Sequence, residues 1–250
     1  MSLVKSIGNK KVNFDFNKDF ISMFSDKIKI SDIKFINQTL KDLHPSDVAN
    51  LIENLSTDTR AKLIEIEEFN IDPEIFIEIN ESIQIEVLQL LSSDSIAKII
   101  KRLESDNSIA ILENLETDKK NSVLDKLPPK DRFLLEEGLS YPEDSAARIM
   151  QREFTAVPSN WSVGQTIDYL RENKDLPEEF LEIFIVDNEF KPIGIVPSSR
   201  VLRAPRDSTM NSIMREMPVL ISVNMDKEEV GHTFENYNLI SAGVINKDNK

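Results

Sequence analysis

Leucine returns at every twelfth residue, at Leu91, Leu103, Leu115, Leu127 and Leu139, and the same interval separates Leu43 from Leu55. Ile79 keeps the beat and Glu67 breaks it. Just after many of these positions a Ser or Thr precedes an Asp: Thr57-Asp58, Ser93-Asp94, Ser105-Asp106 and Thr117-Asp118, with Ser46-Asp47 one residue late. A hydroxyl at a helix N-cap accepts a free backbone N–H, and an Asp in the first turn faces the positive end of the helix dipole. Apolar residues follow at helical spacing, as in Val48, Leu51, Ile52 and Leu55, or Ile96, Ile99, Ile100 and Leu103. The pattern predicts short helices capped by Thr57, Ser93, Ser105 and Thr117. Helices that short do not persist alone in water, so residues 41–140 must stack them into a solenoid-like α-helical superhelix. Pro128-Pro129 opens the last unit, where proline is tolerated.

Residues 1–40 read as an N-terminal helical extension. Gly8-Asn9-Lys10-Lys11 is a turn signal. Phe14, Phe16, Phe20, Phe24 and Ile28, then Ile33, Ile36 and Leu40, form a stripe that belongs to a core.

The pattern changes at Tyr141–Met150. Phe154–Pro158 reads as a strand, Ser162 as the cap of a helix from Val163, Leu181–Val186 as a buried strand, Pro192–Val196 as its partner, and Arg200–Leu202 as a helix start. This β-α-β-β-α order restarts with a short helix from Met210, a strand at Val219–Val223, a helix from Lys227 and a strand at Leu239–Ile245. The second copy stops before its last strand and helix, so the sequence reads as part of a longer chain. The fold class is therefore multidomain α and α/β. Its expected divisions are 1–40, 41–140, 141–205 and an incomplete 206–250.

Charge narrows the function. Lys and Arg number 30 against 44 Asp and Glu, a formal net charge of −14. A duplex-binding protein needs a cationic face, so nucleic acid is a poor partner; metal cations or basic surfaces fit better. The chain has no cysteine, which excludes disulfides and thiolate chemistry. It shows neither a signal-peptide pattern nor an apolar run long enough for a membrane span. His44, before Pro45, stands in a capping context, and His232 lies on a helix. Glu178-Glu179 and Glu228-Glu229 read as dipole partners at helix starts. No zinc, nucleophile-elbow or phosphate-loop motif occurs, so no catalytic constellation is expected.

The segment Tyr141-Pro142-Glu143-Asp144-Ser145-Ala146 to Met150, the helix Val163-Gly164-Gln165-Thr166-Ile167-Asp168-Tyr169-Leu170-Arg171 and the repeated Leu-x-(Ser/Thr)-Asp pattern resemble the cytosolic region of MgtE-type magnesium transporters. That family places an acidic helical N domain before tandem CBS domains and a transmembrane pore. The resemblance implies a non-enzymatic Mg²⁺-sensing region on the cytoplasmic side of the membrane. It also implies a homodimer through the CBS domains, and a C-terminal membrane domain as partner. It implies Mg²⁺ ligands, with Asp94 foremost and Glu143 and Asp144 at the seam.

Departures accompany it. Lys98 stands one turn after Asp94 where the family often has a second Asp; Ala147 replaces a seam glycine; Asn238 replaces an Asp. Gly194-Ile195-Val196-Pro197-Ser198-Ser199-Arg200 lacks the hydroxyl and the Asp of the CBS nucleotide signature, so no nucleotide-binding residues are expected. The rival readings are a soluble CBS-helical adaptor and an adenine-nucleotide sensor.

Overall fold

The computed structural model describes residues 16–67, 71–177, 179–217 and 219–249. The turn expected at residues 8–11, and Phe14, lie outside them. Chain contacts divide the molecule into two units, Met1–Leu103 with Ile111–Pro128, and Glu104–Ala110 with Pro129–Lys250.

The helices are α1 (Lys18–Lys29), α2 (Ile33–Lys41), α3 (Pro45–Glu53), α4 (Thr57–Glu67), α5 (Ile75–Glu78), α6 (Glu81–Leu90), α7 (Ser93–Ile100), α8 (Ser105–Glu113), α9 (Thr117–Leu124) and α10 (Pro129–Ser140). The first residues of α2, α3, α4, α6, α7, α8, α9 and α10 all fall on one twelve-residue grid. The residue before each helix is the cap. Val48, Arg60, Ile96, Ser108 and Lys120 donate their N–H groups to the carbonyls of His44, Ser56, Ser92, Glu104 and Glu116.

This corrects the caps read from sequence. Thr57, Ser93, Ser105 and Thr117 are first helical residues, and the cap position lies one residue earlier, at Ser56, Ser92, Glu104 and Glu116. Ser92 Oγ accepts from Ser95 N at 3.2 Å, and Ser56 Oγ from Thr59 N at 3.4 Å. His44 Nδ1 takes the Ser46 N–H at 3.2 Å, the capping context expected of it. The Asp residues remain in the first turn, where the dipole favours them. The beat residues Leu55, Ile79, Leu91, Leu115 and Leu127 are buried, because each inter-helix turn folds against the stack.

In the first unit Phe24, Ile28 and Ile36 share a core with Val48, Leu51 and Ile52, and Phe16 and Phe20 pack against it. The helix C-termini need partners for their last carbonyls. Arg60 supplies them for α3: it is almost fully buried and donates to the carbonyls of Ile52 and Leu55 at 3.1 and 2.8 Å and to Glu86 Oε2 at 2.5 Å. Lys119 does the same for α6, donating to the carbonyls of Leu88 and Gln89. Burial holds its ammonium pKa below the ordinary value.

In the second unit α11 (Ala146–Ile149) precedes β1 (Ala156–Pro158), α12 (Val163–Glu172), β2 (Glu182–Val186), β3 (Pro192–Pro197) and α13 (Ser198–Arg203). Then come α14 (Met210–Ile213), β4 (Leu220–Ser222), α15 (Lys227–Tyr237) and β5 (Gly243–Ile245). β1 runs parallel to β2, β2 antiparallel to β3, and β4 parallel to β5. Ser162 and Gln165 close a reciprocal capping box on α12. Asn238 ends α15 in the left-handed conformation at φ 48°, which Asn tolerates better than most residues. Glu179 lies in no helix, contrary to the helix start read there, and Glu178 is outside the described residues.

The short helices are exchanged between the modules. Met210 of α14 is buried in the first core with Val157, Val163, Ile183, Ile185 and Val196, whereas Ala146 of α11 joins Ile221 and Val230 in the second. Ala146 and Ala147 donate to the carbonyls of Met225 and Val223 at 2.7 and 3.1 Å. Reciprocally, Met210 donates to the Trp161 carbonyl and Val163 to that of Ser208, both at 2.8 Å.

Removing Arg60 would leave the Leu55 carbonyl and Glu86 Oε2 without the guanidinium donor. Arg60→Ala is expected to lower stability by about 3 kcal/mol, the scale of breaking a buried charge pair. Urea denaturation checks this; a loss under about 0.5 kcal/mol would contradict the capping role.

Candidate functional site

Asp94 occupies the first turn of α7 because Ser92 caps that helix and turns the chain outward. Its carboxylate is exposed and accepts from Lys126 Nζ with both oxygens, at 2.8 and 2.9 Å. Lys98 follows one helical turn later on the exposed face. The Lys126 ammonium thus already holds the Asp94 carboxylate.

Glu143 and Asp144 lie at the seam before α11, and both are exposed. The exchange of α11 carries Asp144 to the start of α15, where its carbonyl accepts the Lys227 N–H at 2.7 Å. The Asp144 carboxylate takes Lys227 Nζ at 2.5 Å. Asp226, the α15 cap, forms a bridge with Ser145. Asp94 belongs to the first unit and the seam pair to the second. Among the described residues, no three His, Asp or Glu side chains converge in a way that could hold a metal ion.

A different acidic group lies at the start of α8. There the cap position holds Glu104 instead of a hydroxyl residue, and Asp106 follows in the first turn. Glu153 reaches the same helix start: its Oε2 accepts from Ser105 Oγ at 2.8 Å and from Ser105 N at 3.3 Å. Gln151 donates to Glu104, and Arg152 donates to Glu137 at 2.6 Å while its N–H bonds Ser105 Oγ at 2.9 Å. Burial raises the Glu104 pKa, and the charges of Asp106, Glu153 and Glu179 add to it. Burial also raises the Asp106 pKa, helped by Glu153 and opposed by the Asn107 and Asp106 N–H groups. The signal available in sequence was the replacement of a hydroxyl cap by Glu within Glu104-Ser105-Asp106.

The first module carries a cleft of about 220 Å³. Ile167, Leu170, Phe180, Ile183, Val201 and Leu202 supply apolar walls, with Arg171 and Ser198 as polar lining. Ser198 Oγ is bonded to the carbonyls of Phe180 and Leu181 at 3.1 and 3.0 Å, and Arg200 Nη1 donates to the Ile213 carbonyl at 2.9 Å. Ser198 and Arg200 of the degenerate nucleotide signature thus bond within the fold.

Residues 43–144 match the model of the MgtE intracellular N domain, and residues 146–207 match that of the CBS domain. A magnesium transporter MgtE from Enterococcus faecalis is 25% identical over 114 residues, which is 46% of this chain and 25% of that protein. The Thermus thermophilus magnesium transporter MgtE is 24% identical over 124 residues, 50% of this chain and 28% of that protein. The matched stretches thus span about a quarter of these relatives. Among solved structures, the cytosolic domain of the Mg²⁺ channel MgtE in complex with ATP superposes with a TM-score of 0.82 at 21% identity, over 92% of this chain and 94% of that one. The soluble part of a magnesium transporter gives 0.76 at 19% identity, over 92% and 90%. These likenesses establish the fold: a helical N domain followed by CBS-type α/β structure. Among the described residues, no helix is long and apolar enough to cross a membrane.

The acidic group at α8 has a signed consequence. A carboxylate raised in the folded state costs stability when ionised and regains it as the pH falls through its folded pKa. Asp106→Asn is expected to raise the melting temperature at pH 7 by about 1–2 °C. That gain should shrink as the pH approaches the ordinary carboxylate values of 3.8 for Asp and 4.5 for Glu. Thermal melts from pH 7 to 4 check it; a destabilised variant, or a difference independent of pH, would contradict it.

Proposed function

We propose, for a chain that joins an MgtE-type N domain to a CBS domain, that it forms the cytosolic regulatory region of a Mg²⁺ transporter. It is non-enzymatic and lies on the cytoplasmic side of the membrane. Its work is to respond to Mg²⁺ by closing its N and CBS domains and so to gate a pore carried by a membrane domain. The observation that carries the reading is the unbroken order of the two family matches, N domain to residue 144 and CBS domain from residue 146. The formal charge of −14 supports it: facing carboxylates repel and a divalent cation relieves the repulsion.

Mg²⁺ is the ion implied, and the exposed carboxylates of Asp94, Glu143 and Asp144 suit it chemically. Mg²⁺ keeps several of its waters and is held through one or two carboxylates, so a full protein cage is not required. Asp94 is the principal ligand in this reading, with Glu143 and Asp144 at the seam. Lys126 and Lys227 compete for the same oxygens, so the ion must displace an ammonium group from Asp94 and Asp144. Raised Mg²⁺ would draw the carboxylate surfaces together; lowered Mg²⁺ would let them part.

The proposed partner within the region is a second copy through the CBS modules. Leu181 and Leu202 of the first module are 68% and 78% exposed, and Leu202 also borders the apolar cleft. Exposed large apolar groups beside an apolar cleft suit a protein interface better than water. Nucleotide binding draws no support from Ser198 and Arg200, which are bonded within the fold.

Two measurements test these statements. Thermal melting at fixed ionic strength, with Ca²⁺ and K⁺ as controls, should show stabilisation by Mg²⁺. Asp94→Ala should blunt it, and Lys126→Ala should move the midpoint about tenfold lower in Mg²⁺. A Mg²⁺ response unaltered by both variants would remove Asp94 as a ligand. In sedimentation equilibrium, Leu202→Asp should weaken self-association at least about tenfold; unchanged association would place the dimer contact elsewhere.

A further inference from the structure

The middle strand β2 alternates as a buried strand should, except at one place. Ile183 and Ile185 point into the first core, whereas Glu182 and Phe184 occupy the other face. Glu182 is a charged residue with its side chain only 5% exposed. A buried carboxylate is tolerated when its oxygens are partnered. Both partners come from beyond the first module: Arg215 Nη2 donates to Oε1, and Ser241 Oγ donates to Oε2.

The backbone around these partners lies close to the first sheet. Ile195 and Arg215 exchange two N–H···O bonds of 3.0 Å. A Cβ at Gly194 would come within 2.9 Å of the Arg215 carbonyl oxygen, and a Cβ at Gly243 within 3.5 Å of Phe184. The second module also has an anchor of another kind. Its β4–α15 corner is tied to the seam by backbone bonds from Ala146, Ala147 and Lys227. It is therefore held at the seam by neutral peptide groups alone, and at the first sheet by the Ile195–Arg215 backbone pair together with one buried carboxylate.

We propose that Glu182 is a latch that couples the second module to the first sheet. While the carboxylate holds Arg215 and Ser241, the two modules move as one. When it lets go, β4, α15 and β5 remain fixed to the seam and move with it instead. Removing either partner undoes the same latch, because the buried Glu182 carboxylate then lacks one of its donors.

Hydrogen–deuterium exchange on the whole chain tests this, using Glu182→Gln, Arg215→Gln, the double variant and Ser241→Ala, which removes only a hydroxyl. Each single variant should speed exchange in β4 and β5 about tenfold. The double variant should be no faster than either charge variant alone, the non-additivity of coupled groups. Exchange in α3–α7 and at Ala146–Ala147 should match the parent, showing that the chain is folded and the seam anchor intact. Parent-like exchange in β4 and β5 in all variants would overturn the latch. So would additive effects in the double variant, or equal loss of protection at the seam.

Discussion

A helix of about ten residues is marginal in water, and this constraint shapes the N-terminal half of the chain. Nearly every helix there is of that length, so none is stable except against its neighbours. Stacking requires each turn to end with an apolar residue facing the stack and each new helix to begin with its N–H groups satisfied. Leu55, Leu91, Leu115 and Leu127 meet the first need, and His44, Ser56 and Ser92 the second. The carbonyl ends are completed from farther away, by Arg60 on α3 and Lys119 on α6. Toward the end of the series the caps weaken: Glu116 makes no side-chain cap bond. At Glu104 the change of cap residue gathers charge instead.

The same arithmetic of charge joins fold to function. An acidic chain can be compact when its carboxylates have donors or cations. Here Asp94 and Asp144 are neutralised by Lys126 and Lys227. Such pairs are exposed and contribute little to stability, so a divalent ion can compete with them. The carboxylates at the start of α8 differ, because burial makes their ionised form costly. Charge in this chain thus occurs as exposed pairs open to exchange, as a partly desolvated carboxylate group at α8, and as one buried carboxylate, Glu182, with an exposed arginine partner.

Much of this was legible in the sequence where the determinants were local. The twelve-residue beat marked the helix starts, and the β-branched run before Asp187 marked β2. The Ser162 cap marked α12. The caps were misplaced by one residue because Ser92-Ser93 offers two adjacent hydroxyls, and spacing alone does not say which faces the N–H groups. The family resemblance was legible in the seam and in the first CBS helix, and the two domain matches agree with it. What was not legible was non-local. Lys126 lies 32 residues from Asp94, Glu153 lies 48 from Ser105, and Arg215 lies 33 from Glu182. The exchange of α11 and α14 likewise follows from which core each short helix enters, and its sequence is compatible with either.

The central claim, as proposed above, is that Mg²⁺ closes the N and CBS domains on each other. Small-angle scattering of residues 1–250 across a Mg²⁺ titration, at constant ionic strength and constant oligomeric state, addresses it most directly. The account predicts a fall in the radius of gyration at millimolar Mg²⁺ that matched K⁺ does not reproduce. A radius unchanged by Mg²⁺, or lowered equally by K⁺, would contradict it.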